Sequence, residues 1–88
     1  MAGVEAIVDH VNGAIVQTNE AVSALNNGKE AMDRAKAQLQ EAMGELTPHH
    51  LTEYMGILNN ALAATDRALI FLQAGPESGE AYIAQLYS

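Results

Sequence analysis

The sequence has no cysteine and no tryptophan, a single phenylalanine, two prolines, and only four basic residues against eleven acidic ones. Without cysteine there is no disulfide framework to staple a small fold and no thiolate set for a zinc site. The four cations, Lys29, Arg34, Lys36 and Arg67, stand singly, and the formal net charge is −7. No basic patch is available to neutralise phosphates, which argues against nucleic acid as a partner. An anionic membrane surface is disfavoured for the same reason. The apolar runs, such as Ala68 to Leu72, fall far short of the ~20 residues that span a bilayer. Glu5 and Asp9 stand where a signal peptide would carry basic residues, so the expected location is cytoplasmic, with signal-peptide-independent export left open.

Catalytic constellations are missing as well. Ser23 and Ser78 have no histidine or aspartate nearby in sequence, and Gly75-Pro76-Glu77-Ser78-Gly79 is acidic and lacks the lysine of a phosphate loop. Asp33, Glu41, Glu45, Glu53 and Asp66 read as a solvated face rather than an acid–base pair in an apolar pocket. The expectation is a protein that is not an enzyme and carries no cofactor.

What the chain does have is a repeat of seven. Val4, Val11, Thr18, Leu25, Met32, Leu39 and Leu46 form one column, and Val8, Ile15, Val22, Lys29, Lys36 and Met43 follow four residues behind. A third column, Ile7, Ala14, Ala21, Gly28, Ala35 and Ala42, is built of small residues that let a neighbouring helix approach closely. A heptad sustained this long argues for a supercoiled helix rather than a strand. Lys29 and Lys36 interrupt the apolar column, where their stems can cover apolar surface while the ammonium groups reach water. Asn12-Gly13 and Asn26-Asn27-Gly28 are local breakers, at about 1 kcal/mol per interior glycine relative to alanine. The prediction is one long helix with room for a kink near Asn27, and a break into two helices there is the alternative.

The second half repeats the pattern. Leu51, Leu58, Thr65, Leu72, Gly79 and Leu86 form one column, Met55, Leu62, Leu69 and Ile83 a second, and Tyr54, Ala61, Ala68, Gly75 and Tyr82 a third. Gly75-Pro76 predicts a kink or a break, with Gly75 as a C-terminal cap and Pro76 opening a new helix. Between the halves, Thr47 is a candidate N-cap, Pro48 suits the first helical position, and Leu46 with Leu51 has the spacing of a hydrophobic staple. Gly44 can help end the first arm.

The fold these signals predict is all-α, a single domain over the whole chain. It is a long antiparallel hairpin with helices from about Gly3 to Leu46 and from Pro48 to Ala74, kinked or broken at Gly75-Pro76, and a last helix from Pro76 to Tyr87. The matched columns place Leu39 opposite Leu58, Leu25 opposite Leu72, Met32 opposite Thr65, Thr18 opposite Gly79 and Val11 opposite Leu86.

Two helices alone bury one stripe each, and domains so thin usually gain stability by association. A second apolar set, Val16, Ile57, Ala64, Ile70 and Phe71, is the candidate interface. It predicts a dimer with the four helices of a bundle, made with a second copy or with another helical protein. The competing reading has Ile70 and Phe71 thicken the intramolecular core instead.

His49, His50 and Glu53 are the sole metal candidate, spaced so that either histidine shares a helix face with Glu53. Zinc wants three or four protein ligands. The site is therefore read as having no metal, and the residues as polar groups of a first helical turn. Protonated histidines there would oppose the helix dipole and cost some stability below about pH 6. Exchange of both for Gln that left acid sensitivity unchanged would contradict this.

The stretch Leu51-Thr52-Glu53-Tyr54-Met55-Gly56-Ile57-Leu58-Asn59-Asn60-Ala61-Leu62, with Ala68-Leu69 after it and Glu80-Ala81-Tyr82-Ile83-Ala84-Gln85-Leu86 at the end, resembles a group of small, uncharacterised actinobacterial helical-hairpin proteins. In overall plan the chain is also similar to the WXG-type proteins of type VII secretion. That family has Trp-X-Gly at its corner where this chain reads Gly44-Glu45-Leu46-Thr47-Pro48. Its C-terminal export signal is a tyrosine followed four residues on by an acid, whereas Tyr82 is followed by Leu86 and Tyr54 by Leu58. The resemblance implies a hairpin that forms four-helix dimers and acts as a secretion partner or adaptor of a larger toxin-type protein. A homo-oligomeric structural bundle, or a helical module for a small apolar ligand or metal near Phe71, Tyr82 and Gly75-Pro76, are the alternatives.

Overall fold

In the computed structural model, which describes residues 2–44 and 48–88, the chain forms two long helices and no strand among those residues. Helix α1 runs Ala2–Met43 and α2 runs His49–Leu86. They lie antiparallel in a hairpin that measures 68 × 15 × 14 Å along its principal axes.

The half-buried residues follow the spacing four, then three, then four along both helices. On α1 they run Val4, Val8, Val11, Ile15, Thr18, Val22 and onward to Met43. On α2 they run Leu51, Met55, Leu58, Leu62, Thr65, Leu69, Leu72, Pro76, Gly79, Ile83 and Leu86. This is the a/d-type seam of a two-helix coiled coil. The two threonines in it are made compatible with apolar neighbours by local bonds. Thr18 Oγ1 donates to the Ala14 carbonyl and Thr65 Oγ1 to the Ala61 carbonyl, both at 2.8 Å. Each hydroxyl is thereby satisfied within its own helix.

The corner differs by a few residues from the expectation. Helix α1 ends at Met43, not Leu46, because Gly44 takes a left-handed conformation with φ 52°, and its N–H donates to the Gln40 carbonyl at 3.3 Å. Glycine adopts that conformation without the clash a Cβ would cause. Helix α2 starts one residue later than expected. Pro48 is its N-cap, with ψ 137° and no side-chain capping bond, and its carbonyl accepts from the N–H groups of Leu51 at 3.1 Å and Thr52 at 3.0 Å. The proposed cap Thr47 and the staple residue Leu46 lie outside the described residues.

Helix α1 is unbroken through Asn26-Asn27-Gly28, and α2 is unbroken through Gly75-Pro76, so no separate last helix exists. Proline inside a helix removes one hydrogen bond and crowds the carbonyl four residues back, at about 3 kcal/mol. Two features offset this here. Gly75 has no Cβ to clash with the proline ring. Pro76 itself falls on the seam, at the position seven beyond Leu69 and seven before Ile83, and is half-buried there.

The register is displaced from the expected pairing. A Cβ on Gly79 would lie 3.2 Å from Ile15 Cδ1 and 3.2 Å from Val11 Cγ1, so Gly79 faces the Val11–Ile15 turn rather than Thr18. The displacement is about one helical turn. It arises because the bend starts at Gly44, which moves the centre of the hairpin toward the N terminus. Lys29 then reaches across to Asp66 as the interhelical ion pair. Glu30 and Arg34, spaced i,i+4, and Asp33 and Lys36, spaced i,i+3, do not close ion pairs within α1.

The core is thin. Leu69, at 8% exposure, is the one buried residue among those described, and no side chain there is fully buried.

Candidate functional site

The seam defines the rest of each helix surface at about 100° per residue. In an antiparallel pair, equivalent flanks of the two right-handed helices point to the same side of the ribbon. One flank is marked by the Lys29–Asp66 bridge. The other is marked by half-buried small residues, Gly28 and Ala35 on α1 and Ala61 and Ala68 on α2.

The two sides differ in charge. On the small-residue side, α1 contributes the column of sevens from Ile7 to Ala42 and the adjacent column from Gly3 to Gln38. Helix α2 contributes the column from Tyr54 to Tyr82 and the adjacent one from His50 to Gln85. None of these positions holds Asp, Glu, Lys or Arg. The charged residues among those described sit on the other columns, apart from Lys29 and Lys36 in the seam. The uncharged side is also where large apolar groups protrude: Ile7, Tyr54, Ile57, Phe71 and Tyr82 are all exposed. Between them, Ala14, Ala21, Ala24, Ala31 and Ala64 keep the surface low.

The candidate interface residues are thus not one cluster. Ile57 at 65% exposure, Phe71 at 76% and Ala64 share the uncharged side, in one column of α2. Ile70 at 68% and Val16 at 57% lie on the other side, at the outer edges of different helices. The alternative in which Ile70 and Phe71 thicken the intramolecular core is overturned, since α1 covers neither. The third column of α1 is likewise not packed along its length: Ile7, Ala14, Ala21 and Ala42 are exposed, so α2 does not make the close approach there.

A shallow depression lies along α1 alone, lined by Val16, Asn19, Glu20, Ser23, Ala24 and Asn27. Phe71, Tyr82, Gly75 and Pro76, where a ligand module was the alternative, do not line it.

The first turn of α2 brings Glu53 to both histidines. His49 Nε2 is 3.2 Å from one carboxylate oxygen and His50 Nδ1 is 3.9 Å from the other. The rings are 5.9 Å apart and tilted by 57°. All three side chains are open to solvent, at 80%, 94% and 59% exposure. No group of three or more His, Asp or Glu among the described residues is placed to hold a metal ion.

One titration is displaced. Lys29 is held above its ordinary 10.5, first by its hydrogen bond to Asp66, then by the charge of Asp66 and, more weakly, of Asp33, against partial desolvation. The sequence reading gave Lys29 only a solvent-seeking role. The missed signal was Asp66, which becomes its partner only once the register is known.

No helix among the described residues is long and apolar enough to cross a membrane. Against known proteins, the chain matches no family model, no curated sequence and no solved structure.

Proposed function

We propose that this chain is a non-enzymatic helical interaction module whose working surface is the uncharged side of the hairpin. The observation that carries the reading is the segregation of charge. A net charge of −7 is spread over the chain, yet the four columns of one side hold no charged residue while Ile57, Phe71, Tyr54 and Tyr82 stand exposed on it. An extended apolar surface with a polar remainder marks an association site. Large residues at its ends and small ones between suit the close packing of further helices. A helical protein of the toxin-associated secretion class, which the overall plan resembles, is the heteromeric form of this reading.

The test is affinity capture by the full-length chain from its native host, compared with Ile57→Glu and Phe71→Glu variants. The reading expects a helical protein, or further copies of the chain, to be retained by the native form and lost by both variants. Retention of the same proteins by all three forms would refute the assignment of this face.

A further inference from the structure

We infer that the depression along α1 is a docking site for a basic helix of a different protein, one that carries lysine or arginine about three turns apart. This surface is separate from the working side proposed above, and the inference does not rest on that side.

The shape of the depression decides what kind of occupant fits. It has a volume of about 530 Å³ and is lined by α1 alone, between Val16 and Asn27. A site for a free small ligand buries most of the ligand's surface, which a trough on one helix cannot do. Side chains that project from a second helix need cover from one side only. At about 1.5 Å per residue the trough is roughly 16 Å long, or three helical turns.

The lining gives the chemistry. Val16, at 57% exposure, and Ala24 offer apolar contact to a side-chain stem. Glu20 is the charged group of the lining, and Asn19, Ser23 and Asn27 add neutral acceptors. An apolar stem with a cationic head, as in arginine or lysine, matches both parts.

Charge carries the match beyond the trough. Asp9 and Glu30 frame it at either end, and with Glu20 they stand at intervals of eleven and ten residues. Those intervals return to the outer stripe of α1 every three turns. All three carboxylates are exposed, and none of them closes an ion pair. The cation on this stripe, Arg34, lies beyond Glu30. A helix with a cation at every third turn meets the three carboxylates in succession, and attraction to a chain of net charge −7 draws it in.

The same spacing sets aside a second copy. Its cations are Lys29, Arg34, Lys36 and Arg67, of which no two lie ten or eleven residues apart. Lys29 is already engaged by Asp66, and two chains of −7 repel.

The probe is an alanine- and glutamine-based helical peptide with three arginines at intervals of eleven and ten. Its control is an isomer of the same composition with the arginines scattered around the helix. Fluorescence anisotropy with the full chain at low salt is expected to show the spaced peptide bound about tenfold more tightly than the isomer. Asp9→Asn/Glu20→Gln/Glu30→Gln should weaken that binding about tenfold and Glu20→Gln alone about two- to fivefold. Phe71→Glu, on the uncharged side, should leave it unchanged. Far-UV circular dichroism checks that the variants keep their helices, and Glu20→Gln stands as the readout if the triple variant does not. Equal affinity for the two isomers, or binding that ignores the lost carboxylates, would overturn the inference. Loss of binding with Phe71→Glu would place the peptide on the uncharged side and overturn it as well. So would sedimentation of a native dimer that becomes a monomer when the three acids are neutralised, because a second copy would then hold this stripe.

Discussion

Pro76 occupies a seam position in an unbroken helix, where it costs a hydrogen bond and contributes a packed ring. Replacing it with Ala restores the N–H and removes the clash, worth about 3 kcal/mol, while giving up part of the ring's burial. Pro76→Ala is therefore expected to raise stability by about 1–2 kcal/mol in thermal or denaturant melts. A lower melting temperature would show that the ring outweighs the backbone. At the neighbouring close approach, Gly79→Leu is expected to destabilise by about 1–3 kcal/mol, because Val11 and Ile15 already stand 3.2 Å from the Cβ position. Gly79→Ala should change stability by less than about 1 kcal/mol, since the gain in helix propensity opposes that tight contact. Lys29 gives a pH dependence. Its titration is raised in the folded chain by Asp66, so the stability it adds is complete below its ordinary 10.5 and is lost as pH rises through the higher folded value. Melting followed from pH 9 to 11.5 should fall more steeply for the native chain than for Lys29→Met. Equal slopes would remove the bridge from the account.

At the scale of the helices, both columns of sevens were legible, and so was the hairpin. A strict period cannot sit on a strand, and the two halves carry the same period. The misreading at Gly75-Pro76 has a specific cause. Local preference says stop, but Pro76 keeps the phase of Leu69 and Ile83, and seam packing along the whole helix overrides one local cost. At Asn26-Asn27-Gly28 the same packing prevails, and there the expectation of one long helix holds. The register could not be fixed from pattern alone, because a heptad matches itself after every shift of seven and only Gly44 and the Lys29–Asp66 bridge select one alignment. The uncharged face was half legible. Its small-residue columns were visible, but that Ile57 and Phe71 share its side while Val16 and Ile70 do not depends on knowing which columns the seam takes. Two glycines test the element scale directly. Gly13 and Gly56 are exposed with nothing near their Cβ positions. Each exchange to Ala should add about 1 kcal/mol without altering assembly.

For the whole molecule, a hairpin with one buried residue among those described is close to the limit of what two helices can stabilise. If association completes it, folding and assembly are one equilibrium, and the melting temperature must rise with protein concentration. Melts over a hundredfold dilution series should shift for the native chain and not for Ala64→Glu/Phe71→Glu. A native melting temperature independent of dilution would mean that the hairpin is self-sufficient.

Gly44 carries a topological consequence. Its left-handed turn is what stops α1, and the heptad phase on either side suits a partner helix whichever chain supplies it. With Ala at position 44 that conformation costs roughly 1–2 kcal/mol, and Pro76 shows that this chain admits a proline within a helix. Gly44→Ala is then expected to favour strand exchange, in which each chain opens into one rod and its two halves pair with those of its neighbour. Every seam contact survives the exchange, so helical content would barely register it. Solution scattering would, through a maximum dimension of about 130 Å in place of the hairpin's 68 Å.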